Sequence, residues 1–170
     1  IALYAHGEDY HKVIEGKIKK ITEYLAGIIE DLKFKISIDT GPVHEKKWAV
    51  RAGIGWQGKN TLIINPYIGS WFLLGIVATN FKLPPDTESK NQCGDCNLCI
   101  ESCPTKALSS EGYLDCNKCI SYHTIENKNE IPIFIQQKIK DSFFGCDICQ
   151  KVCQWNRNAE ISEKGNFCII

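Results

Sequence analysis

Cys93-Gly-Asp-Cys96-Asn-Leu-Cys99-Ile-Glu-Ser-Cys103-Pro104 constrains this chain more than any other stretch. It reads C-x2-C-x2-C-x3-C-P, the bacterial spacing for cysteines that hold 4Fe–4S cubes. Two-residue spacers let successive thiolates close around one cube. The fourth cysteine, ahead of a proline, ordinarily serves a second cluster. That predicts more cysteines downstream, and Cys146-Asp-Ile-Cys149-Gln-Lys-Val-Cys153 supplies them. A structural zinc site is complete with four ligands. Cysteines in two such groups therefore favour paired iron–sulfur clusters over zinc.

Two cubes need two sets of four thiolates. In a pseudo-symmetric arrangement Cys93, Cys96 and Cys99 share one cube with Cys153. Cys103 then joins Cys146 and Cys149, and one place stays open. Cys116 and Cys119 both fit it, and spacing does not choose between them. Cys168 is expected to be a spare thiol. The ordinary role of a leftover cysteine is that of a small buried hydrophobe.

The chain has 170 residues and 10 cysteines, with none before Cys93. Such clustering, with no export signal visible, argues against a secreted disulfide scaffold and for metal binding in a reducing cytoplasm. No apolar run is long enough to span a membrane. The chain opens on Ile1 and contains no Met, so it is expected to be a piece of a longer polypeptide. Formal net charge is zero. Two oxidised clusters would add about −2 each, for a total near about −4. Any attraction to nucleic acid must then come from local basic patches or from further parts of the protein.

Residues 8–32 read as an amphipathic helix with Ile14, Ile18, Ile21, Leu25, Ile28 and Leu32 on one stripe. Lys17, Lys19 and Lys20 fall off that stripe, as on a solvated face. Phe34, Ile36 and Ile38 alternate with polar neighbours, as in a half-buried strand, and run into the turn sequence Asp39-Thr-Gly-Pro42. Residues 43–52 look helical, with Gly53 as the stop. Residues 53–60 form a glycine-rich loop. Residues 62–65 and 71–79 read as strands of a hairpin around Pro66-Tyr-Ile-Gly69-Ser70. Pro84-Pro85 and the polar residues 86–92 read as a linker between a first domain, 1–85, and a cysteine domain, 86–170. Residues 133–144 add one more helix.

Gly53-Ile-Gly55-Trp-Gln-Gly58 spells the dinucleotide fingerprint, and with Lys59-Asn60 it nearly spells a P-loop. Both motifs need a strand before and a helix after, and the P-loop needs Ser or Thr in place of Asn60. Here a helix precedes and a strand follows, so both are rejected. What remains is a tight loop with positive φ at several glycines, or close backbone approach to a large ligand. Asp39 has an ordinary reading as a turn cap. Its functional reading is a carboxyl at a strand end, desolvated enough to act as a general acid. His6, His11, His44 and His123 show no ligand pairing and read as ordinary histidines.

Asp39-Thr-Gly-Pro-Val43, Gly53-Ile-Gly-Trp-Gln-Gly-Lys-Asn-Thr61, the paired cysteine runs, Cys119-Ile-Ser-Tyr122 and Gly145-Cys-Asp-Ile-Cys149 together resemble the epoxyqueuosine reductases. The opening Tyr4-Ala-His-Gly-Glu-Asp-Tyr-His11 is similar to them too, so the resemblance covers nearly the whole chain. It implies an α/β fold: part of a nitroreductase-like cobalamin-binding layer, followed by a bacterial-type ferredoxin domain with two 4Fe–4S clusters. The implied activity is reduction of epoxyqueuosine to queuosine at the wobble position of tRNA. Electrons would pass from the clusters to cobalamin while Asp39 donates a proton.

The resemblance also assigns Cys119, rather than Cys116, to the second cube. It implies cofactor contacts at Lys59, Asn60, Thr61, Ser121 and Asp147. The implied partners are a tRNA anticodon stem-loop carrying epoxyqueuosine and an unidentified electron donor, with the enzyme a cytoplasmic monomer. The wobble base would have to be unstacked to reach the cofactor. Gln154 stands where the family usually has Pro, and the family's N-terminal portion is missing. Two other readings are a dehalogenase-like cobalamin reductase and a plain two-cluster electron carrier. The second leaves residues 1–85 without a purpose.

Overall fold

The computed structural model describes residues 1–159. Cys168 therefore lies outside the described residues. The fold mixes helices and short strands.

Helix α1, Tyr10–Ala26, begins where the Asp9 carboxylate caps the backbone N–H of His11. It buries Val13, Ile18 and Thr22. It is shorter than its apolar stripe suggests: Gly27 follows Ala26, Asp31 takes a positive φ of 53°, and Ile21 and Ile28 are exposed. Ile14 and Ile18 lie against Gly75, where an added Cβ would stand 2.7 and 2.5 Å from their methyl groups. Only a residue without a side chain lets this segment approach α1 so closely.

Strand β1, Phe34–Ser37, leads to the Asp39 turn, and helix α2, Glu45–Arg51, follows. Glu45 in its first turn and Arg51 in its last complement the helix dipole. Gly53, at φ 67°, ends this stretch as the sequence predicts. Strands β2, Trp56–Gln57, and β3, Ile63–Ile64, come next, and β4, Ile76–Thr79, closes the first half.

The pairing differs from the predicted hairpin. Strand β3 pairs backwards with β2, Trp56 opposite Ile64, while β4 crosses to pair with β1, Phe34 opposite Thr79. The 66–69 turn itself forms, closed by the Asn65–Gly69 bridge and by Asn65 Oδ1, which accepts from the Tyr67 and Ile68 N–H groups. What diverts the chain beyond it is tertiary. Gly69 abuts the Trp155–Asn156 backbone, and Ser70 is bonded to Gln150 and Asn156. Those bonds hold residues 70–75 out of any ladder with β3.

Residues 86–92 carry no regular structure but lie along the first half. Ser89 N–H donates to Val50 O at 3.1 Å, and Thr87 O sits against Gly53. Helices α3, Leu98–Ser102, α4, Ile120–Ile125, α5, Ile133–Ile139, and α6, Ile148–Lys151, then follow. α5 stops short of residue 144 because Lys140 leaves helical geometry at φ 46°. The buried side chains fall in two groups along the chain, Ala49, Trp56, Ile63 and Ile64 in the first half, and Ala107, Leu108, Ile120 and Ile135 in the second. Among the described residues no helix is long and apolar enough to cross a membrane.

Candidate metal centres and the adjoining acid

Short helices bring the thiols together. α3 carries Cys99 and ends at Cys103, and α6 carries Cys149 and leads to Cys153. α3 packs against α6. Cys93, Cys96, Cys99 and Cys153 line one cavity together with Ile64 and Trp155. The other group is Cys103, Cys119, Cys146 and Cys149: charges on the first three all bear on Cys149, with a smaller effect from Cys99 of the first group. Burial, then those neighbouring thiolates, pushes the Cys149 thiol up to about 12. Burial likewise raises Cys146, Cys99 and Cys153. Burial also works against the Cys103 thiolate, but hydrogen bonds from Ala107 and Thr105 outweigh it and hold this thiol lower.

Crowded, buried thiols disfavour one another's ionisation and call for a cationic core to hold them as thiolates. Cys116 differs: it is exposed, in the short 3-10 turn that ends before Cys119. Among the described residues no three Cys, His, Asp or Glu side chains converge on a single-ion position. A cube spreads its ligands over four irons, so convergence on one ion is not the geometry it needs.

The glycine-rich loop is pinned to the cysteine loops. Lys59 Nζ donates to Gly94 O, Cys96 O and Asn97 Oδ1 at 2.9, 3.1 and 3.0 Å. That engages all three ammonium hydrogens. Buried Asn60 donates from Nδ2 to Cys149 O at 3.3 Å and accepts from Leu62 N–H. Thr61 turns the chain at φ 64°. Of the loop's glycines Gly53 alone has positive φ. Gly55 and Gly58 are needed instead because Ile64 O and the Ile64 side chain occupy the space of a Cβ. Close approach of backbone, rather than left-handed geometry, explains those two.

The other expected cofactor positions sit at helix starts. Ser121 lies in the first turn of α4, and Asp147 precedes α6. Asp147 Oδ2 accepts from the Leu3 N–H at 2.8 Å, and Ala2 N–H donates to Phe144 O at 2.7 Å. The chain's first residues are thus tied beside Cys146. The network of Ser70, Gln150 and Asn156 makes a second seam. Asn156 Nδ2 donates to Ser70 Oγ at 2.9 Å and Gln150 Nε2 donates to Ser70 O at 2.9 Å. Sequence reasoning missed this seam, because Ser70 lies 80 and 86 positions from its two partners and leaves no local signal.

Asp39 stands two residues beyond β1 at φ 53°, a strained geometry for a residue with a Cβ. Its expected burial is absent: the side chain is 64% exposed. Tyr10 bonds its carboxylate through the phenol, and burial together with that bond raises the phenol beyond the ordinary tyrosine range. Tyr4, edge to face with Tyr10 at 5.8 Å, is raised by burial and then by Glu126, Asp39 and Asp147. Lys46 also acts electrostatically on Asp39 and Cys149, which puts the acid and the second thiol group within range of one cation.

Paired thiol groups joined by two short helices define an iron–sulfur protein of the double-cluster class, and a 4Fe-4S double cluster binding domain matches residues 92–156. The epoxyqueuosine reductase QueG domain (DUF1730) matches residues 1–40. Across the span it covers, the chain is similar to the epoxyqueuosine reductases. It is 46% identical over 169 residues to the epoxyqueuosine reductase of Synechocystis sp., covering 98% of this chain and 58% of that protein.

Solved structures agree. One is an epoxyqueuosine reductase with an epoxyqueuosine-modified tRNA-Tyr stem loop (TM-score 0.87, 32% identity, 98% of this chain and 44% of that one). Another is the Bacillus subtilis enzyme with its catalytic aspartate loop swung out of the active site (TM-score 0.85, 31% identity, 98% and 44%). The chain spans about half the length of the curated relatives it matches.

Proposed function

We propose that the protein containing this chain reduces epoxyqueuosine to queuosine at the wobble position of a tRNA. The observation that carries this is the continuous match, in sequence and backbone, to epoxyqueuosine reductases, one of them solved with its modified stem loop. Cys93, Cys96, Cys99 and Cys153 hold one 4Fe–4S cluster, and Cys103, Cys119, Cys146 and Cys149 hold the other. The cavity lined by the first four and the mutual effect of the second four support that division. Residues 1–85 form part of a nitroreductase-like cobalamin-binding layer, and residues 86–170 the cluster domain.

When bound, the clusters supply single electrons and cobalamin the reducing chemistry at cobalt that opens the epoxide. Thr61, Ser121 and Asp147 would border that cofactor. Lys59 and Asn60, whose side chains are committed to the cysteine loops, would have their backbone left to border it. The net reaction takes two electrons and two protons and releases the epoxide oxygen as water. Asp39 gives one proton to the departing oxygen, from a carboxyl on an exposed turn that a base drawn out of the anticodon loop can reach. The partners are that tRNA and a separate electron donor, with the enzyme acting as a cytoplasmic monomer.

The test is anaerobic turnover of an epoxyqueuosine-carrying stem loop by the full-length holoenzyme and its Asp39→Asn variant. Queuosine formation by the first, reduced about 100-fold or more in the second, is expected. No product from the first overturns the function. Undiminished product from the second removes Asp39 from its role.

A further inference from the structure

Each proton that the exposed Asp39 gives must be replaced before the next turnover, and a neighbour can supply it. We propose that His11 is that neighbour, returning a proton to Asp39 Oδ2 after every turnover. The inference rests on the acid role proposed above.

The geometry comes from the start of α1. Asp9 uses Oδ1 twice, accepting the His11 backbone N–H at 3.1 Å and the His11 ring at Nδ1 at 2.8 Å. Hydrogen bonds from His11 are the main reason Asp9 is held below the usual carboxylate range. A carboxylate only accepts, so Nδ1 carries the hydrogen and Nε2 is left to exchange protons. Nε2 faces Asp39 Oδ2 at 3.7 Å, and it is buried without a hydrogen-bond partner. A polar atom buried unpaired is costly, and it marks a place where a bond is made in another state.

Tyr10 completes the arrangement. Its ring stacks on the imidazole with centroids 4.0 Å apart, and its phenol holds the Asp39 carboxylate. The phenol is a poor proton source because its own acidity is suppressed. An imidazole can take a proton at one ring nitrogen and give it up again. The other charges bearing on this cluster are Lys12 upon Asp9, and Tyr4 and Lys46 upon Asp39.

The step balances simply. Asp39 gives its proton to the departing oxygen and becomes a carboxylate. The N–H bond at Nε2 of the imidazolium breaks and an O–H bond forms at Oδ2. The neutral ring keeps its Nδ1 hydrogen on Asp9. It takes a new proton at Nε2 from water between turnovers, and no electron moves.

His11 acts through Asp39, so the test separates proton return from the reaction itself. Full-length holoenzyme carrying His11→Gln is compared with wild type in a single turnover, after equilibration, and in the steady state. The first is expected to stay within about 2-fold, and the second to fall about 10-fold or more. Imidazole in the buffer should restore the steady state of His11→Ala. Equal loss in both phases without rescue, or no loss in either, overturns the proposal. Ring 15N NMR of the oxidised holoenzyme should show His11 protonated at Nδ1, and Asp9→Asn should abolish that preference. An Nε2–H tautomer in the wild type also overturns it. If Asp39→Asn keeps full activity, the acid role itself fails. If Asp39→Asn is dead while His11→Gln is fully active in both phases, only this inference falls.

Discussion

The indole of Trp155 meets that of Trp56 edge to face, centroids 4.9 Å apart and planes at 76°. Trp56 belongs to the glycine-rich loop and is 2% exposed, while Trp155 follows Cys153 by two positions. The pair therefore joins the loop to the wall of the first thiol cavity. Trp56→Ala should destabilise the protein by about 3–5 kcal/mol and empty the first cluster site. Trp56→Phe keeps an aromatic ring and removes an indole N–H that is buried and unpaired. It should cost no more than about 1.5 kcal/mol. Anaerobic urea titrations with iron analysis distinguish the two, and equal losses would remove the packing role.

The eighth thiol is testable in the same way. Cys116→Ser should retain full iron and full absorbance near the iron–sulfur band. Cys119→Ser should lose half of it or more. The reverse result would hand the ligand role to Cys116.

Gly69 at φ 71° leaves no room for a Cβ beside Asn156 Oδ1 and Trp155 O. Gly69→Ala should therefore cost about 1–3 kcal/mol through overpacking, read from the urea midpoint. Asn156→Ala should cost about 1–3 kcal/mol by stranding the polar groups of Ser70 and Gln150. The double variant should fall short of the sum, because both changes disturb one seam.

Asp9 gives a pH prediction. Its carboxyl is held low first by the side-chain hydrogen bond from His11. A depressed carboxyl contributes stability above its unfolded pKa, about 3.9, and loses it as pH falls through the folded value. Carboxyl 13C titration should place Asp9 below an ordinary aspartate, and His11→Ala should raise it. An unchanged midpoint in that variant would deny the bond.

What the sequence made legible follows from short-range chemistry. The thiol spacing, the amphipathic period of α1 and the stop at Gly53 are all written within one or two turns of chain. Strand pairing was not: β2 and β3 are two residues each, too short for alternation to register, and the course of the chain after the 66–69 turn depends on contacts of Ser70 with Gln150 and Asn156. The glycines of the loop were readable as special but not as to why. Gly55 and Gly58 answer to Ile64, which is recognisable only after folding. His11 passed for an ordinary histidine because its partners, Asp9 and Asp39, flank no metal spacing and meet only when the turn after β1 returns to α1.

α3 is a five-residue helix, and it offers Cys99 to one thiol group and Cys103, at its end, to the other. α6 does the reverse job with Cys149 and Cys153. In each case four positions separate the two contributions, the second standing in extended backbone just past the helix end. On the cluster assignment above, ordering either helix around one cube delivers a ligand to the other at little further entropic cost. Metallation of the young polypeptide would then be cooperative, each cube that forms easing formation of the other.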